Sequence, residues 1–173
     1  MTMPPLPPLR LFLALWPSPD TATALQARAD AWDWSAGARR TRPERLHITL
    51  HFIGAVNAPD VLPLQAALDL AWEGCELVLD REEVWPGGIA VLEASRVPQP
   101  LAALHAELAE RLRARELPVQ SRRYRPHVTF ARKAQGSRAP PEPAPLRWAT
   151  GSDYLLMQSL PGGRGYVPLQ RFG

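Results

Sequence analysis

Two short segments of this chain nearly repeat each other: Leu46-His47-Ile48-Thr49-Leu50-His51-Phe52 and Pro126-His127-Val128-Thr129-Phe130-Ala131-Arg132. Each sets His-x-Thr within β-branched and aromatic residues, the composition of a strand. Side chains alternate faces along a strand, so His47 shares a face with Thr49, and His127 with Thr129. Ile48, Leu50 and Phe52, like Val128 and Phe130, then form the opposite, apolar faces. Any fold must therefore provide two matched strands, each with one face in a core and the other presenting imidazole and hydroxyl. Only four histidines occur in the chain, and two of them hold these positions.

The flanking pattern supplies the frame. Arg10 to Trp16 predicts an opening strand, and Pro17-Ser18-Pro19-Asp20 starts a helix capped by Ser18 or Asp20, running through Leu25, Ala29 and Trp32. Helical spacing recurs from Ala58 to Trp72 and, most clearly, from Pro100 to Glu116, where Leu101, Leu104, Leu108 and Leu112 share a face. Glu76 to Trp85 and Ile89 to Glu93 predict a hairpin about Pro86-Gly87-Gly88. Lys133 to Pro145 reads as a surface loop, and Leu146 to Ser159 and Arg164 to Phe172 as closing strands. The order β-α-β-α-β-β-α-β-β-β predicts an α+β fold with mostly antiparallel sheets and outer helices. Matched placement of the motifs predicts two pseudo-symmetric lobes lining a central cleft.

A length of 173 residues suits one domain, 1–173, with both lobes sharing a core and residues 1–8 forming a flexible tail. No apolar run approaches the roughly 18 residues of a membrane span, and the proline-rich start lacks a signal-peptide pattern. One cysteine, Cys75, allows no internal disulfide and no cysteine-based metal site. These features predict a cytoplasmic monomer with no membrane partner. The net charge of +3 is modest, and its placement says more than its size. Arg39, Arg40, Arg42 and Arg45 precede the first motif, and Arg122, Arg123 and Arg125 the second, which predicts a positive cleft mouth able to hold RNA.

Imidazole titrates near neutrality, so one copy can accept a proton while the other donates one. Hydrolysis of a cyclic phosphodiester needs both at once, on opposite sides of phosphorus. Thr49 and Thr129 can donate hydrogen bonds to the non-bridging oxygens. Metal catalysis ranks low, with no HExxH, no cysteine pair and no carboxylate close to either motif. No serine or cysteine nucleophile signature is present. His51 shares the His47 face by parity and reads as peripheral; His105 reads as a surface or packing residue.

On these residues the chain resembles the two-histidine (2H) phosphoesterase superfamily, and within it the RNA 2′,3′-cyclic phosphodiesterases, also called 2′-5′ RNA ligases of the LigT type. RLFLALWPS, RPERLHITLHFIG, RPHVTFAR and a closing stretch with Ser159, Gly165 and Tyr166 carry the likeness. The resemblance implies hydrolysis of RNA or nucleoside 2′,3′-cyclic phosphates to 2′-phosphates without metal or cofactor, with reversible, ATP-independent ligation. It implies His47 as acid, His127 as base, and Thr49, Thr129 and Arg132 on the phosphate, although the near-symmetric motifs alone leave acid and base interchangeable. Strict alternation opposes Arg132, which a bulge or a bend at the strand end would bring back to the His127 face. Implied partners are RNA ends with cyclic phosphates, tRNA fragments among them, and small cyclic nucleotides. Alternatives are a non-catalytic RNA-end binder, or a 2H esterase acting on another cyclic phosphate or a 2′-5′ oligonucleotide.

Overall fold

A computed structural model describes residues 6–173. The expected tail lies, for residues 1–5, outside the described residues. Strand β1 (Leu9–Leu15) leads to helix α1 (Pro19–Asp30), whose cap is Ser18: its Oγ accepts from the Thr21 N–H at 3.2 Å. A two-residue strand β2 (Arg39–Arg40) precedes β3 (Ile48–Val56), which carries the first motif. Then come α2 (Ala58–Ala67), β4 (Glu76–Leu79), β5 (Arg81–Trp85), β6 (Ile89–Glu93) and α3 (Gln99–Arg113). The second motif lies on β7 (His127–Arg132), followed by β8 (Leu146–Ala149), β9 (Tyr154–Ser159) and β10 (Tyr166–Phe172).

Every strand pair is antiparallel, and the main sheet runs β10-β9-β1-β3-β7-β6-β5, with β2 also on β7 and β4-β8 forming a separate ribbon. The α+β class, antiparallel sheets and outer helices are those expected from the sequence. The main sheet is almost two sheets. Strands β3 and β7 pair only at Ile48 with Val128, the residues between histidine and threonine in each motif. On one side of that bridge lie β10, β9, β1 and β3; on the other lie β7, β6 and β5. The two motifs thus face one another across the seam between two lobes.

Three element boundaries depart from the sequence pattern, each for a local reason. Helix α2 ends at Ala67 although Leu68 and Trp72 keep their apolar spacing and stay buried. The buried Tyr154 hydroxyl donates to the Leu68 carbonyl at 2.7 Å and accepts from the Leu70 N–H at 2.9 Å, fixing a non-helical backbone. The expected strand Glu76 to Trp85 breaks at Asp80, whose carboxylate accepts from the Ser95 N–H and Oγ at 2.8 and 2.6 Å. That break sends β4 to pair with β8 and leaves β5 alone to form the hairpin with β6. The closing strand from Leu146 likewise divides, because Thr150 turns to accept the Cys75 N–H at 2.9 Å.

Burial follows amphipathicity. α3 buries Leu101, Leu104, Leu108 and Leu112, and its C-terminus closes through Glu116 at φ 57°. Trp148, Phe130, Leu13 and Ile48 are fully enclosed in the main core. A second, small apolar cluster of Phe12, Ala14, Leu155 and Met157 lies beneath Trp16. No helix among the described residues is long and apolar enough to cross a membrane.

Candidate active site

Each motif carries the same irregularity. Along β1, Ala14 pairs with Thr49 and Leu13 with His51, so Leu50 is an extra residue on β3. Along β6, Val91 pairs with Thr129 and Ala90 with Ala131, so Phe130 is the extra residue on β7. A single-residue bulge flips the parity of everything after it. Arg132 therefore returns to the exposed side that Thr129 occupies, as the bulge invoked for it requires. The same flip corrects two expectations on β3. His51 leaves the His47 face and is 5% exposed, and Phe52 leaves the core and is 57% exposed. Phe52 and Arg132 are structural counterparts: each follows its histidine by five residues and re-emerges through the bulge.

The imidazoles are held alike. His47 Nδ1 lies 2.6 Å from the Arg45 carbonyl oxygen, and His127 Nδ1 lies 2.7 Å from that of Arg125. A carbonyl can only accept, so Nδ1 carries the hydrogen in each ring and Nε2 is left to exchange protons. His47 Nε2 lies 3.2 Å from Thr49 Oγ1. A tryptophan supports each ring: Trp16 stacks on His47 at 4.8 Å and 3°, and Trp85 tilts against His127 at 4.5 Å.

Surroundings differ between the two rings. Around His47 stand Phe12 (5.3 Å) and the edge of Tyr166 (5.5 Å). Burial pushes its pKa down to about 4, against the Arg45 carbonyl and with help from the charge of His127. Around His127 the neighbours are ionic. Arg125 lies 4.4 Å from the Trp85 ring centre and grips buried Glu93 through two hydrogen bonds of 2.8 and 2.7 Å. Burial also lowers the His127 pKa, while the Arg125 carbonyl and Glu93 raise it and the Arg125 and Arg122 charges lower it.

His47, Thr49, His127, Thr129 and Arg132 line one cleft of 580 Å³. Arg122, Arg123 and Arg125 also line it, whereas Arg39, Arg40 and Arg42 are not among its lining residues. Arg40 is instead ion-paired with Asp30 and lies over Trp34. Arg45 takes their place on the cleft wall. Sequence reasoning left several wall residues without a site role, among them Phe52, Trp85, Tyr124, Gln120 and Tyr166. Only strand register reveals Phe52, and Trp85 follows from the hairpin pairing of β5 with β6. Among the described residues, no group of three or more His, Cys, Asp or Glu side chains is arranged to hold a metal ion.

Comparison with known proteins gives this arrangement a context. The family model of the 2′-5′ RNA ligase superfamily matches residues 19–153. Escherichia coli LigT complexed with 3′-AMP is similar over 95% of this chain and 97% of its own, at 26% identity and a TM-score of 0.82. A structure described as a phosphoesterase is 25% identical over 95% of this chain and 97% of its own, with a TM-score of 0.80. A protein of Thermus thermophilus, TT0787, is 23% identical over 95% of this chain and 97% of its own; its TM-score of 0.71 marks a shared fold. No curated protein matches the chain by sequence.

Proposed function

The chain belongs to the 2′-5′ RNA ligase superfamily, a phosphodiesterase and ligase class of 2H phosphoesterases, and from that premise we propose that it hydrolyses RNA and nucleoside 2′,3′-cyclic phosphates to 2′-phosphomonoesters. The observation that carries this reading is the pair of imidazoles on one cleft, each with Nδ1 tied to a carbonyl and a threonine hydroxyl on the same strand face. His127 Nε2 takes a proton from water as it attacks phosphorus. His47 Nε2 gives one to the departing 3′-oxygen. The Thr49 and Thr129 hydroxyls and the Arg132 guanidinium receive the charge that builds on the non-bridging oxygens. No metal takes part.

Both histidines are depressed in the free protein, so both start mainly neutral at pH 7. An anionic phosphate between them favours their charged forms and restores the proton that the acid needs. Ligation is the same path reversed, with an RNA 5′-hydroxyl in place of water and no ATP.

The two walls divide the substrate. Phe52 and Tyr166, which both lie against buried Phe12 at 6.3 and 5.0 Å, offer stacking surface to the nucleobase in the first lobe. Arg122, Arg123 and Arg125 offer charge to the further phosphates of RNA in the second, and Arg39, Arg40 and Arg42 lie off the cleft. The LigT structures complexed with 3′-AMP, phosphate, ATP and NADP+ support a cleft that takes nucleotide phosphates. Incubation with 2′,3′-cyclic AMP in excess EDTA, followed by phosphorus NMR, tests the reading. It requires 2′-AMP as the product. A 3′-phosphate product rejects the regiochemistry, and no turnover rejects the function.

A further inference from the structure

The seam between the lobes is narrow, and both catalytic motifs sit on it. One residue pair, Ile48 with Val128, joins the two strands, so the sheet alone fixes the angle between the lobes weakly. A second tie crosses close by. Tyr124, three residues before His127, donates its hydroxyl hydrogen to the Thr49 carbonyl at 3.1 Å. Its ring stacks on His105 of α3 at 3.9 Å and 15°, and His105 stacks in turn on His51 of β3 at 4.0 Å and 21°. The His51 Nε2–H donates to the His105 carbonyl at 2.8 Å, closing the stack onto the helix. The three rings thus run from the first motif strand, through α3, to the segment that delivers the second histidine. Two of them belong to the two histidines that the proposed chemistry leaves unused.

We propose that Tyr124 is a positioning residue that sets the spacing of His47 and His127, with His105 and His51 stacked behind it as its support. The inference rests on the acid–base reading above for its catalytic consequence. Its structural content stands apart from that reading. Acid and base must meet opposite sides of one phosphorus atom, and displacement of about 1 Å can cost about 100-fold in rate. Neither Tyr124 nor His105 is needed to bind phosphate under this proposal, so its signature is a loss in kcat with little change in KM.

Tyr124→Phe keeps the ring and removes only the hydrogen bond. Amide hydrogen exchange at residues 47–49 and 127–129 should quicken about 10-fold, the worth of one such bond, while β9 stays unchanged. With 2′,3′-cyclic AMP, kcat should fall about 10-fold and KM should stay within about twofold. His105→Ala should reproduce a milder form of both effects, and His105→Phe, which restores a stacking ring, should reverse them. Uniformly faster exchange or a lower melting temperature with unchanged kcat would make the stack merely structural and overturn the proposal. A raised KM with preserved kcat would make Tyr124 a substrate contact and overturn it equally. Should the wild-type protein turn over no cyclic phosphate, the functional reading fails. The exchange pattern then decides the positioning claim: localized quickening at the seam upholds it, and its absence overturns it.

Discussion

The two halves of the cleft are built alike around the imidazole and unlike everywhere else. In both, the histidine leans on the carbonyl two residues back, a tryptophan backs the ring, and a bulge follows the threonine. At the position that the bulge returns to the cleft, one half has Phe52 and the other Arg132. Aromatic rings enclose His47, while a Glu93–Arg125 pair sits beside His127. The repeated part is what proton transfer needs, and strand geometry supplies it twice. Under the proposed function, the divergent part distinguishes one end of the substrate from the other. A symmetric site has no direction; this one has an aromatic side and a basic side.

The largest expected effect attacks what the halves share. His47→Ala or His127→Ala should each slow hydrolysis of 2′,3′-cyclic AMP by about 100- to 10,000-fold, the usual worth of one general acid or base. Circular dichroism should show the fold retained, since both rings are only partly buried and line the open cleft. A folded variant of either with near-full activity would remove the shared mechanism.

The next prediction sets the counterparts against each other. Arg132→Ala should weaken both 2′,3′-cyclic AMP and 1-deoxyribose 2,3-cyclic phosphate, which has the cyclic ester but no base. Phe52→Ala should shift the ratio of kcat/KM between these substrates, against the nucleotide, by about 5- to 100-fold, the scale of base–aromatic stacking. An unchanged ratio in Phe52→Ala would erase the proposed aromatic side. A smaller effect concerns RNA. Replacing Arg122 and Arg123 by alanine should weaken an oligonucleotide ending in a cyclic phosphate, and should flatten its salt dependence by roughly 0.7 in slope for each phosphate no longer neutralised. The mononucleotide should be nearly unaffected, as binding measured in parallel at two salt concentrations would show.

The smallest effect lies outside the reacting groups. Burial, then the neighbouring His51 charge, lowers the His105 pKa to about 4, below its unfolded value of about 6.5. Between those values the unfolded chain binds more protons than the folded one, so stability falls as pH drops from about 6.5 towards 4. His47 and His51 act in the same direction. The melting temperature should therefore drop between pH 7 and pH 5, and His105→Phe should drop less. An equal drop in the variant would place the sensitivity elsewhere.

Much of this was legible in the sequence because the informative residues lie in short, local patterns. The two His-x-Thr strands, the hairpin at Pro86-Gly87-Gly88 and the leucine face of α3 follow from alternation, turn chemistry and helical period. What escaped depends on residues far apart in the chain. Tyr154 ends α2 from more than eighty positions away, and no pattern near Leu68 announces it. Leu50 and Phe130 look like ordinary alternating residues, yet pairing with β1 and β6 makes each a bulge, which reverses His51, Phe52 and Arg132 together. Parity is local, but bulges are set by the partner strand. That is why the histidines and threonines that line the cleft could be named, whereas the aromatic wall could not.

The central claim is that two imidazoles, without metal, share the proton transfers at a cyclic phosphate. The pH dependence of kcat and kcat/KM on 2′,3′-cyclic AMP, measured in excess EDTA, tests it most directly. kcat/KM reports the free protein, where both histidines are depressed, so its bell should lie on the acid side of the ordinary imidazole range. kcat reports the complex, where bound phosphate favours the charged rings, so its bell should move to higher pH. Activity abolished by EDTA and restored by a divalent ion, or a profile flat across the histidine range, would contradict the claim.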